Sequence, residues 1–140
     1  MLERIFDSKT QFILNESMDA ATLRNNVIAD NIANVDTPKF KRSEVIFEEN
    51  LKKVLEKNTI YAKLRVTHPR HIQIGEGRSL DNFEPEVRLL DDLSFRNDEN
   101  NVDIDVEMAK MSKNKIHYDS LGQSMNNEFQ LLRLAITGRR

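Results

Sequence analysis

Residues 102–140 read VDIDVEMAKMSKNKIHYDSLGQSMNNEFQLLRLAITGRR, and this stretch decides the fold. Alternating steps of four and three run through Ile104, Met108, Met111, Lys115, Tyr118, Gly122, Met125, Phe129, Leu132 and Ile136. Eight of these ten positions are apolar or aromatic. A 3.5-residue repeat held this long is the seam of a coiled coil, because it keeps one apolar stripe facing a partner helix. Asp103, Asp105 and Glu107 put negative charge at the helix start, where the backbone dipole favours it. Fully helical, the segment is a rod of about 50 Å.

A similar arm opens the chain. Ser8-Lys9-Thr10-Gln11 fits a capping box, and a 4-3 spacing then runs through Leu14, Met18, Ala21, Asn25, Ile28, Ile32 and Val35. Six of these seven are apolar; Asn25 is the one polar position, of the kind that sets register on a seam. Asn34 suits a left-handed stop, and Pro38 moves Thr37 out of the helical region.

Between the arms the chain is punctuated. All three prolines and two of the four glycines of this 140-residue chain fall between residues 38 and 85. The spacing predicts a short helix over 43–57, capped by Ser43, with Phe47, Leu51, Val54 and Leu55 on one face. Alternation through Ile60, Ala62, Leu64 and Val66 reads as strand, and Asn97-Asp98-Glu99-Asn100-Asn101 reads as loop. The division is therefore 1–37, 38–101 and 102–140. The fold class is mainly α: long N- and C-terminal helices pair as an antiparallel coiled-coil hairpin around a short helix and a small irregular or β middle.

Composition excludes several functions. No cysteine means no disulfide scaffold, thiolate metal site or cysteine nucleophile. A net charge of −2 gives no general attraction to nucleic acid, and apolar runs are too short for direct membrane insertion. His68 and His71 flank Pro69, which disfavours the helical turn that would align them on a metal. His117 reads as a solvated helical residue. Asp91-Asp92 and Asp103/Asp105 lack a neighbouring nucleophile or oxyanion donor. Gly75-Glu76-Gly77 lacks the third glycine of a dinucleotide loop. Lys39-Phe40-Lys41-Arg42 is a short basic turn, and Met18, Met108, Met111 and Met125 read as adaptable packing. No catalytic, cofactor or metal site emerges.

The run Ala29-Asp30-Asn31-Ile32-Ala33-Asn34-Val35-Asp36-Thr37-Pro38-Lys39-Phe40 resembles the N-terminal signature of the bacterial flagellar rod and hook axial proteins, ANNIANxNTPGY. Asn101–Met108, Asn114, Tyr118, Leu121, Phe129 and Leu132–Gly138 are similar to the short proximal-rod members. The resemblance implies a structural subunit of the flagellar basal body, exported by the flagellar type III apparatus without a cleaved signal peptide. It implies helical polymerisation through the terminal helices, with copies of itself and other rod proteins as partners. A FliE-like adaptor and the export gate at the MS-ring base are implied neighbours. Another short rod protein, or a cytoplasmic coiled-coil adaptor or chaperone, is the alternative.

Leu14, Met18, Ile28 and Ile32 are expected to pack on Tyr118, Met125, Phe129, Leu132 and Ile136. Asn31 and Asn34 are expected to cap and to form inter-subunit hydrogen bonds, with Pro38 closing the helix. Lys39 stands where the family often has glycine, which argues against a left-handed turn there.

Overall fold

The first helix, α1 (Lys9–Ala33), and the last, α3 (Ile104–Thr137), pack side by side and dominate the molecule. Between them come β1 (Ser43–Ile46), α2 (Glu48–Lys63) and β2 (Glu86–Leu89). The computed structural model describes residues 9–63, 84–91 and 97–138. Ser8, His68, His71 and the glycine pair lie outside them, as do the last residues of the expected strand.

Contacts joining α1 to α3 fix an antiparallel arrangement: Asn31 meets Glu107, and Asn114 meets Ala21. The 34-residue α3 is well defined at both ends. Asp103 is its N-cap, accepting from the Asp105 and Val106 amides at 3.0 and 3.3 Å. Gly138 closes it at φ 61°, a left-handed position that glycine adopts without a Cβ clash.

Several local expectations are corrected. Ser43 does not cap a helix: Ser43–Ile46 is a strand, pairing antiparallel with Glu86–Leu89 so that Val45 faces Val87. The helix starts at Glu48 and continues through Lys63, over the first part of the stretch read as strand. Nor does Asn34 take the left-handed position after α1. The helix tightens instead, with the Asn34 amide shared between the Asp30 and Asn31 carbonyls and Val35 N–H bonding to Ile32. The left-handed residue is Lys39, at φ 63° despite its side chain. Its N–H donates to the Asp98 carbonyl at 2.9 Å, which holds the turn against the loop before α3.

The apolar core is small: Ala20, Ala21, Val27 and Ile28 of α1, with Val45, Phe47 and Val102. Alanines at the crossing let the backbones approach closely, as the bond from Asn114 to the Ala21 carbonyl shows, and Phe47, between β1 and α2, is buried.

The helix seam differs from the apolar pattern in a regular way. On α3, Met111, Met125 and Leu132 of one expected column are half-buried while Ile104 and Tyr118 of that column are exposed, and the second buried column is Glu107 and Asn114, followed by half-buried Leu121 and Glu128. The expected column of Met108, Lys115, Gly122 and Phe129 lies one residue further on. On α1 the same offset occurs: Asn31 is buried and Arg24 half-buried, while Asn25 is exposed. Each arm therefore turns one apolar column and one partly polar column towards the other. Asn25 is exposed, and the polar residue buried on the seam side of α3 is Asn114.

Candidate functional site

The polar column converges where α1 ends, β1 begins and α3 starts. Asn31 is buried and uses both halves of its amide on one strand residue. Its Oδ1 accepts from Ser43 N–H at 3.0 Å, and its Nδ2 donates to the Ser43 carbonyl at 2.9 Å. A side chain thus acts as an extra strand along the outer edge of β1. The same Nδ2 donates to Glu107 Oε2 at 3.0 Å, and Lys110 Nζ reaches Glu107 Oε1 at 2.7 Å. Buried in this way, the Glu107 charge is compensated by one cation and one amide.

A second knot is tied by the asparagine-rich loop. Fully buried Asn100 donates through Nδ2 to the carbonyls of Asn34, Val35 and Thr37 at 2.9, 3.0 and 2.9 Å. These carbonyls follow the end of α1, where the α-helical ladder has stopped; Asn34 and Thr37 also receive turn bonds from Thr37 N–H and Phe40 N–H. Asn100 Oδ1 accepts from Val102 N–H at 2.7 Å. Asn101 bridges the sheet end, accepting from Arg42 N–H and donating to the Leu90 carbonyl, each at 2.8 Å.

Further along α3, buried Asn114 donates to the Ala21 carbonyl at 2.8 Å, and its Oδ1 has no partner. Glu107 and Asn114 line a cleft of about 680 Å³ with Val27, Ile28, Val45 and Phe47. At its mouth Arg24 holds Glu48 by two bonds of 2.9 and 2.8 Å. Partial burial pushes the Glu48 carboxyl up, but a hydrogen bond from its own backbone, Arg24 and nearby His117 outweigh this and leave it below the usual range.

The expected site residues fall into three groups. Ile28 and Asn31 are buried, and Leu14, Met18, Ile32, Asn34, Met125 and Leu132 are half-buried. Pro38, Tyr118, Phe129 and Ile136 are exposed. Asn34 bonds within its own turn, donating to Asp30 O at 2.8 Å and accepting from the Thr37 hydroxyl at 3.2 Å, as a cap does. Asn31 is buried and makes its three hydrogen bonds inside its own chain. The sequence reads Glu107 as a helix-start acid, Asn100 and Asn101 as loop and Asn114 as part of the resemblance, and it assigns none of them a buried packing role. Their signal was polar residues next to a seam, which on its own reads as solvated surface.

Among the described residues no cluster of His, Asp and Glu is placed to hold a metal ion, and no helix is long and apolar enough to cross a membrane. The polar groups of the junction are occupied with one another and position backbone, which marks a helical-hairpin structural unit. Residues 16–41, spanning the second half of α1 and the turn at Lys39, match the family model described as flagella basal body rod protein.

Relatives extend the match over most of the chain. The chain is 31% identical over 125 residues to the flagellar basal body rod protein FlgB of Bacillus subtilis, covering 89% of this chain and 91% of that one. Against FlgB of Borrelia hermsii it is 36% identical over 129 residues, with 85% and 89% covered. Against FlgB of Escherichia coli it is 31% identical over 121 residues, covering 84% of each. The chain belongs to the FlgB family of flagellar basal body rod proteins.

Proposed function

We propose that this chain is a structural, non-catalytic subunit of the proximal rod, polymerising helically through α1 and α3 and helping to anchor the rod base. Its partners in this reading are further copies, other rod proteins, a FliE-like adaptor and the export gate. In this reading export proceeds through the flagellar type III route.

One observation carries the polymerisation: α3 keeps an apolar stripe that its own hairpin does not cover. Met108 is 50% exposed, Phe129 56% and Ile136 67%. The polar column takes the intramolecular seam, and the adjacent apolar column is left for neighbours. Burying such side chains is worth about 1.5–3 kcal/mol each, which favours association over solvation. Head-to-tail contacts of this kind grow helically when they do not close.

The test substitutes Phe129→Asp and Ile136→Asp, separately and together. Both positions are solvent-facing, so helix content and melting of the purified chain should stay near wild type. Motility and incorporation into purified basal bodies should be lost. Normal swimming by the double variant, or a wild-type chain found in cytosol and absent from basal bodies, would refute the reading.

A further inference from the structure

We propose that the outer edge of β2 pairs with the same edge of a second copy of this chain, antiparallel and centred on Val87. This contact is independent of the helix stripe and of the polymerisation argued above.

The direction of the edge follows from the ladder. Leu90 N–H donates to the Arg42 carbonyl at 2.9 Å, so Arg42 and Leu90 form a hydrogen-bonding pair of positions. In the register that sets Ser43 against Leu89 and Val45 against Val87, hydrogen bonding alternates along the strands. Ser43 accordingly turns its N–H and carbonyl away from β2, where Asn31 takes both. By the same alternation Val87 and Leu89 turn theirs away from β1.

β1 thus has a side-chain amide along its outer edge, and β2 has nothing equivalent among the described residues. All four β2 residues are exposed, Val87 at 47% and Leu89 at 71%. An open edge with two apolar side chains, and without a lysine, a bulge or an internal proline, is a template for another strand.

Charge selects the occupant and the register. Set antiparallel about Val87, two copies place Glu86 of each against Arg88 of the other. Those are non-hydrogen-bonded positions, where side chains approach most closely. The two Val87 residues exchange N–H and carbonyl, and each Leu89 N–H meets the other copy's Pro85 carbonyl. Centring on Leu89 instead sets Arg88 against Leu90 and offers no such pairing. Among the described residues neither Glu86 nor Arg88 has an ion-pair partner in its own chain, so both are available.

The contact is isologous and closes at two copies. It gives free subunits a self-limited pair that cannot propagate, and its strands are too short for a standard-sized interface. Association in the range of roughly 0.1–1 mM is expected.

Sedimentation of the full chain across concentration tests this. Wild type should rise from monomer towards dimer by about 1 mM, and Glu86→Arg and Arg88→Glu should each weaken the rise by roughly tenfold. Mixing the two single variants should restore it, because both cross-strand pairs become opposite in charge again. Val87→Pro removes the central donor while leaving the bonds to β1, and should abolish dimer formation. A wild type that stays monomeric overturns the proposal. So do single variants that associate like wild type, a mixture no better than its components, or a dimer broken by Phe129→Asp and indifferent to these charges.

Discussion

The Asn31 amide donates to the Glu107 carboxylate across 3.0 Å, joining residues 76 positions apart in the chain. This bond, with the two from Asn31 to Ser43, sets the end of α1, the start of β1 and the start of α3 in one fixed relation. Asn31→Ala leaves the Ser43 groups and one Glu107 oxygen without their partner at a junction that is only partly open to solvent. The expected loss is about 2–4 kcal/mol, and Asn31→Asp should cost more, since it sets a second carboxylate beside Glu107. Urea titration of the helical circular dichroism signal checks this. An Asn31→Ala midpoint equal to wild type would show that the junction is not structural.

That junction also marks how far the sequence could be read. Ile28, Met125 and Leu132 lie on the seam side because apolar residues at 4-3 spacing have few other places to go. The second column was misplaced by one position, since apolarity selected Met108 and Phe129 where the fold buries Glu107 and Asn114. A polar residue is buried only when a distant partner satisfies it, and partners such as Ser43 or Ala21 are not apparent from spacing. The strand at Ser43 was missed for a related reason: Asn31 and Asn101, distant in the chain, occupy its outward and terminal hydrogen bonds. The loop Asn97–Asn101 was legible as loop, and its role as a tie was not.

Lys39 at φ 63° is a side-chain-bearing residue in a conformation suited to glycine. The Lys39 N–H to Asp98 bond needs only backbone, so Lys39→Gly retains it. Relief of the left-handed clash outweighs glycine's greater unfolded-state freedom. The variant should be more stable by about 0.5–1 kcal/mol, and Lys39→Val less stable by a similar amount. Urea midpoints measured side by side decide it; a destabilised glycine variant would mean that the Lys39 side chain contributes more than the strain costs.

Asn114 spends a buried Oδ1 without a partner for one hydrogen bond to Ala21. The Ala21 carbonyl lies within α1 and keeps its helical donor if the amide is removed. Asn114→Leu should therefore fall within about 1 kcal/mol of wild type or exceed it, whereas Asn114→Asp, with an uncompensated charge, should lose about 3 kcal/mol. Differential scanning calorimetry separates the two. A large loss in the leucine variant would show that the amide fixes packing as well as register.

Glu48 and Glu16 should pull the acid stability profile in opposite directions. The Glu48 carboxyl is lowered in the fold: burial works against this, and its backbone hydrogen bond, Arg24 and His117 prevail. Its contribution is present above its ordinary value of 4.5 and is lost as pH falls through the lower folded value. The Glu16 carboxyl is raised, by burial first and then by Asp19 and Glu84, so the fold gains as it protonates on acidification. Glu48 is exposed and Glu16 lies half-buried at the surface, so solvent screening limits each effect to about 0.5 kcal/mol. Glu48→Gln should lower the urea midpoint at pH 7 and flatten its fall below pH 4.5. Glu16→Gln should raise the midpoint at pH 7. High salt should shrink both differences. An acid limb equally steep in wild type and Glu48→Gln would remove the Arg24–Glu48 pair from the account of stability.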